Sequence, residues 1–128
     1  MLDTNTVSQL VRGHPEVASR VVGVPMANLC LSCITEGELK FGLAKRPEAR
    51  RLHVAVAELL KRVEVLPWDG TAAGHYGTLR ADLERRGRPL GPLDLLIAAH
   101  ALAVAAVLVT NDRAFQHAPV LALEDWTA

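Results

Sequence analysis

Short apolar runs alternating with stretches of helical periodicity restrict this chain's fold more than any other feature. Residues 1–4, 29–34, 63–66, 105–110 and 120–123 read as strands, rich in Val, Leu and Ile and closed by polar or breaker residues. Between them, the apolar spacing predicts helices from residue 4 or 5, over 16–22, 36–45, 48–62 and 70–86, and from Pro92 to about Ala103. Gly13-His14-Pro15, Gly23–Pro25 and Gly87 supply the breaks, and Pro92 suits a first helical turn. Strands that alternate with helices pair in parallel and need cover on both faces. The expectation is an α/β fold, a three-layer α/β/α sandwich around a central, mostly parallel sheet, with residues 1–128 as a single domain. Half of the residues are hydrophobic but only 4% are aromatic, so the core must be aliphatic.

Four acidic residues lie at the predicted strand ends or helix starts: Asp3, Glu38, Asp94 and Asp112. In an open α/β sheet, ligands bind outside the carboxyl ends of the strands, so these acids can converge there. Each also has a local explanation. Asp3 can cap the first helix, and Glu38 can close a capping box with Thr35. Asp94 favours the dipole of its helix, and Asp112 suits a turn. Four such coincidences on one sheet edge are much harder to explain locally. Glu36 competes with Glu38, but two positions apart they point about 200° away from each other on a helix. Glu38 is the choice, because a glycine follows Glu36. Converged carboxylates repel unless a cation neutralises them, and hard oxygen donors suit Mg²⁺ or Mn²⁺. The chemistry predicted is metal-dependent phosphoryl transfer, as in a nuclease.

The formal net charge is zero, with 14 basic and 14 acidic residues. Setting the four site acids aside leaves 14 against 10, and two divalent ions would cancel the site itself. The basic residues also cluster, Lys45, Arg46, Arg50 and Arg51 in one group and Arg80, Arg85, Arg86 and Arg88 in another. Among these, Arg46, Arg50, Arg85, Arg86 and Arg88 are the candidates for contacts with nucleic-acid phosphates flanking the metals. Solvated helix faces are the plainer alternative. Cys30 and Cys33 form a C-x-x-C pair. On a strand such positions point to opposite faces, and no histidine pair completes a zinc site, so buried, inert thiols are expected. The longest apolar run, 95–110, contains His100 and is too short for a bilayer, and no signal peptide is evident. A soluble cytoplasmic protein with no membrane contact is expected.

Four segments together resemble PIN-domain proteins, and most of all VapC toxins of type II toxin–antitoxin systems. They are Leu2-Asp3-Thr4-Asn5; Ile34-Thr35-Glu36-Gly37-Glu38-Leu39-Lys40-Phe41-Gly42; Gly91-Pro92-Leu93-Asp94 running on through His100-Ala101-Leu102; and Leu108-Val109-Thr110-Asn111-Asp112. Leu66-Pro67-Trp68-Asp69 and Leu123-Glu124-Asp125-Trp126 add to the likeness, which covers essentially the whole chain. The resemblance implies a Mg²⁺- or Mn²⁺-dependent endoribonuclease acting on RNA, with tRNA and rRNA among the family's substrates. It implies a VapB-like antitoxin as partner, a homodimer, and higher assembly with the antitoxin. The family's acidic positions carry over to Asp3, Glu38, Asp94 and Asp112 as catalytic and metal-holding residues. Its supporting polar positions carry over to Asn5 and Thr110.

Two other classes stand beside this reading. A catalytically silent module of the same fold would bind RNA or protein, although four uncompensated acids speak against it. A phosphoacceptor domain of the receiver type would want a lysine near a late strand end, and the three lysines, 40, 45 and 61, all fall earlier.

Overall fold

The computed structural model describes all 128 residues, Met1–Ala128. Its helices are α1 (Thr4–Val11), α2 (Pro15–Val22), α3 (Cys33–Ala44), α4 (Arg50–Arg62), α5 (Gly70–Arg85) and α6 (Pro92–Ala103). Its strands are β1 (Cys30–Ser32), β2 (Glu64–Leu66), β3 (Leu108–Val109) and β4 (Leu123–Glu124). Two 3₁₀ turns, Met26–Asn28 and Arg113–His117, complete the list. β1 pairs in parallel with β2, and β3 with β4.

The N-terminal residues join these two pairs. Leu2 bridges Val109 in parallel, and its amide donates to the Cys30 carbonyl at 3.1 Å. The Val109 amide donates to Met1 at 2.8 Å, and the Asp3 amide to Val109 at 3.0 Å. The order across the sheet is therefore β2, β1, the N-terminal segment, β3, β4.

Alternation along these strands builds two cores, one on each face. Met1, Leu108 and the half-buried Cys30 turn towards Leu79, Leu83, Ile97, Ala98 and Phe115, under α5 and α6. Leu2, Leu31 and Val109 turn the other way, onto Val7, Val17, Leu39, Val56 and Leu59 of α1 to α4. Successive strand side chains point to opposite faces, so each strand serves both cores. The result is the expected three-layer arrangement.

Several boundaries differ from the sequence reading. The strand read at 29–34 stops at Ser32, because the Ser32 hydroxyl accepts the Ile34 amide at 3.1 Å and starts α3 there. Thr35 therefore lies inside the helix, and the capping box with Glu38 does not form. Cys33 opens the helix rather than continuing a strand, so the argument from opposite strand faces does not apply to it. Both cysteines are free and partly exposed, a correction to the buried thiols expected. The strand read at 105–110 is shortened to Leu108–Val109, because Ala105 at φ 53 ends α6 in a left-handed cap. There the Ala106 amide reaches back to Ala101 at 2.9 Å, and the Ala105 amide to Leu102 at 3.1 Å. Glycines take the corresponding place after α1 and α5, at Gly13 and Gly87, with φ 82 and 64.

Candidate active site

The four acids come from four different places along the chain. Asp3 follows the central strand segment directly. Its Oδ1 accepts the Thr6 amide at 2.8 Å, capping α1, and the residue is only 3% exposed. Glu38 sits in the second turn of α3, where its Oε1 accepts a hydrogen bond from Thr4 Oγ1 at 2.6 Å. Asp94 lies in the first turn of α6, after Gly91-Pro92. Asp112 caps the second 3₁₀ turn, its Oδ1 accepting the Ala114 amide at 2.9 Å.

Electrostatics shows that these side chains share one space. The Asp94 carboxyl is pushed up to about 6, first by burial and then by the charges of Asp112, Glu38 and Asp3. None of the four takes part in any of the chain's ion pairs. Asp3, Glu38 and Asp112 each commit one oxygen to a protein donor, which leaves the other free, and Asp94 receives no protein hydrogen bond. Hard oxygens, a concentrated negative charge and no lysine or arginine to neutralise it fit a divalent cation as the missing counter-charge. No three of the side chains are already drawn together as a ready ligand set.

Glu36 is half-buried and pairs with Lys40 at 3.6 Å, away from the other acids. The helical phase thus separates the two glutamates, with Glu38 alone directed at the other acids.

The polar support differs from expectation. Asn5 is exposed and bonds to no carboxylate; its place is taken by Thr4, which holds Glu38 and lies 3.3 Å from Thr35 Oγ1. Thr110 is buried and receives the Asp112 amide at 3.0 Å, so it orients the backbone of that acid rather than its carboxylate. Sequence reasoning had placed Thr4 in the right motif but gave the role to its neighbour. A second support was missed altogether. His100 Nδ1 lies 2.7 Å from Ser32 Oγ, both groups buried, and links the last turn of α6 to the start of α3. The Ser32 hydroxyl also accepts the Ile34 amide, so one serine joins the start of α3 to the His100 ring. The ring's Nε2 has no hydrogen-bond partner, and burial lowers the imidazole's pKa, favouring the neutral form, against the opposing pull of Asp69 and the Pro67 backbone. The two helices that carry Glu38 and Asp94 are thereby fixed to each other.

The basic residues divide. Arg46, with Arg12 and Lys45, rims a 140 Å³ groove between α1, α3 and α4, whose walls include Glu38 and whose floor includes Leu39 and Leu43. Arg50 is exposed at the start of α4 and Arg88 in the loop before α6. Arg85 and Arg86 both pair with Asp82, at 3.4 and 2.8 Å, and Arg86 also donates to the His117 carbonyl at 2.8 Å. Those two are partly engaged in holding the fold. Arg12, which the sequence reading did not single out, lines the same groove as Glu38.

A PIN domain family model matches residues 1–121. The tRNA(fMet)-specific endonuclease VapC of Salmonella typhimurium is 39% identical over 127 residues, 98% of this chain and 96% of that protein. Among solved structures, VapBC2 from Rickettsia felis, bound to a DNA fragment from its promoter, superposes with a TM-score of 0.91. It has 34% identity and covers 98% of this chain and 97% of the other. VapBC-1 from nontypeable Haemophilus influenzae gives a TM-score of 0.88 and 37% identity, covering 100% and 98%.

Proposed function

This chain belongs to the PIN domain family, and from that premise we propose that it is a metal-dependent endoribonuclease, the toxin of a type II toxin–antitoxin pair. One observation carries the chemistry: three carboxylates add their charge at a fourth, Asp94, with no basic side chain among them. Asp3, Glu38, Asp94 and Asp112 would hold Mg²⁺ or Mn²⁺. When bound, the ion supplies the charge stabilisation that displacement at a phosphodiester requires. The chain's own part is positioning. The Thr6 amide fixes Asp3, Thr4 fixes Glu38, the Thr110 hydroxyl holds the backbone of Asp112, and the His100–Ser32 bond keeps α6 and α3 in register. Arg12, Lys45 and Arg46 at the groove rim suit the phosphates flanking the cut.

The substrate is RNA, with tRNA(fMet) the first candidate because a relative is named for it. The partner is a VapB-like antitoxin, the assembly in which the solved relatives were captured. An antitoxin arginine among the four carboxylates would pair with them in bidentate fashion, and an apolar helix would suit the Leu39–Leu43 floor of the groove. A homodimer that assembles further with antitoxin belongs to the same reading, as does residues 1–128 forming one domain. Cytoplasmic location is part of the proposal too; no helix is long and apolar enough to cross a membrane.

The test is incubation of purified protein with a tRNA(fMet) transcript, with and without Mn²⁺, followed by sequencing of the RNA ends. Cleavage at discrete positions is expected only with the metal. Glu38→Gln should abolish it, and Glu36→Gln should retain most of it. Cleavage indifferent to the metal and to Glu38→Gln would overturn the assignment, and no cleavage under any condition would leave the silent binding module as the alternative.

A further inference from the structure

Of five aromatic residues, Phe115 and Trp126 are buried in the cores. Trp68 and Tyr76 are half-buried and pack edge to face, ring centroids 6.0 Å apart and planes at 76°. Trp68 Nε1 donates to the Leu96 carbonyl at 2.9 Å, which anchors the pair to α6. One turn further along α5, Arg80 donates from Nη1 to the Tyr76 hydroxyl and from Nε to Glu84 Oε1, both at 2.9 Å. Its guanidinium carbon lies 6.0 Å from the Tyr76 ring centre. Between these side chains and the first turn of α6 is an open cavity of about 240 Å³, with Leu83, Pro92 and Leu95 in its wall. Pro92 and Leu95 belong to the same first turn of α6 as Asp94 but to another face of it, so the cavity lies within one helical turn of the acidic site without including its carboxylates. An ordinary pair four residues apart on a helix explains Arg80 and Glu84. It does not explain an open cavity walled by an anchored aromatic ring at this spot.

We propose that this cavity takes one unpaired nucleobase of the RNA, with guanine preferred; the proposal rests on the ribonuclease reading above. Sequence-selective recognition of RNA works on unstacked bases laid against aromatic rings or guanidinium planes. Tyr76 supplies such a ring, and Trp68 prevents it from turning away. Arg80 uses two of its five N–H donors within the protein, and its Nη2 remains available. That donor matches the O6 and N7 acceptors of guanine. Glu84 Oε2, with no protein donor of its own, matches the N1–H and amino donors of the same base. Guanine alone among the four bases presents two adjacent N–H donor groups on one edge, so it uses the Glu84 carboxylate more fully than adenine or the pyrimidines, each of which offers a single donor group there. A base held here fixes the register of the strand against Asp94, so the cavity selects which phosphate lies over the carboxylates.

The experiment measures binding, so that it does not depend on turnover. RNA stem-loops labelled with fluorescein are titrated with the Asp94→Asn protein, which holds them uncleaved, and read by fluorescence anisotropy. Each loop nucleotide is made abasic in turn. At one position the loss of the base should weaken binding about tenfold or more. In Asp94→Asn/Tyr76→Leu that position should lose its effect, because the stacking partner is gone. Asp94→Asn/Tyr76→Phe should keep the effect while losing part of the preference for guanine over adenine, and Arg80→Met on the same background should lose most of it. Sensitivity to abasic sites that is the same in the Tyr76→Leu protein would overturn the proposal, and so would the absence of RNA binding altogether. Metal-dependent cleavage by the wild-type protein is scored separately. A nuclease whose base preference ignores Tyr76 refutes only the pocket, whereas failure to cleave refutes the catalytic reading.

Discussion

At the scale of single residues, Asp94 is the group whose chemistry departs furthest from its ordinary state. Its carboxyl moves from 3.8 to about 6, so the folded protein binds that proton more tightly than the unfolded chain does. Ionising it therefore costs stability. The penalty is absent below pH 4, grows as the pH rises through the window from 4 to 6, and is complete above it. Asparagine cannot ionise. In EDTA at pH 7.5, Asp94→Asn should melt higher than the wild type, by about 1–3 kcal/mol after allowance for partial solvent screening. The two should converge near pH 4. Thermal melts across that range check this, and equal melting at both ends would show that Asp94 does not feel the other acids. The acids themselves were legible in the sequence because each sits in a short motif at a strand–helix junction. Their supports were less so. Thr4 reaches Glu38 across 34 positions and His100 reaches Ser32 across 68, and no local pattern announces such a contact.

At the scale of elements, the helices were readable from periodicity and caps, and the strands only in part. β3 and β4 are two residues long each, too short for alternation to show, and their limits are set by pairing with the N-terminal segment and by flanking turns. The end of α6 is the clearest case. Three helices close with a left-handed residue, yet at α6 it is Ala105, not glycine, so the sequence carries no stop signal there. Alanine in that conformation is strained by about 1 kcal/mol relative to glycine. Ala105→Gly should raise stability by roughly that amount in urea denaturation, with the slope unchanged. A loss of stability would mean that unfolded-chain entropy outweighs the relief of strain. The gain should leave RNA cleavage untouched, because the turn lies at the end of α6 away from Asp94.

At the scale of the whole molecule, the three-layer arrangement followed from strand–helix alternation, whereas the strand order did not. Pairing partners in a sheet are chosen by tertiary contacts, and nothing local in Leu2 indicates that it lies between β1 and β3. The two aliphatic cores meet at this segment, and the acids are held at its edge. A divalent ion that binds only the folded state stabilises it by mass action. Mn²⁺ or Mg²⁺ at about one hundred times its dissociation constant should add about 2–3 kcal/mol. Asp94→Asn should blunt that gain. Melting temperatures that do not move across the millimolar range would sink the shared site.

The central position of the first residues also has a meaning in time. A ribosome that has passed Asp94 has already released Asp3 and Glu38 into the cell, but Val109, against which the first strand segment bonds, does not yet exist. Domains fold as units once their parts are available, so the nascent toxin has no assembled site until its last fifth is made. Synthesis thus contains an interval in which most of the chain exists without its site. Chains released at increasing lengths should cleave RNA only after residues 108–124 are present. Cleavage by a chain ending at Ala103 would show that the site assembles without its late strands.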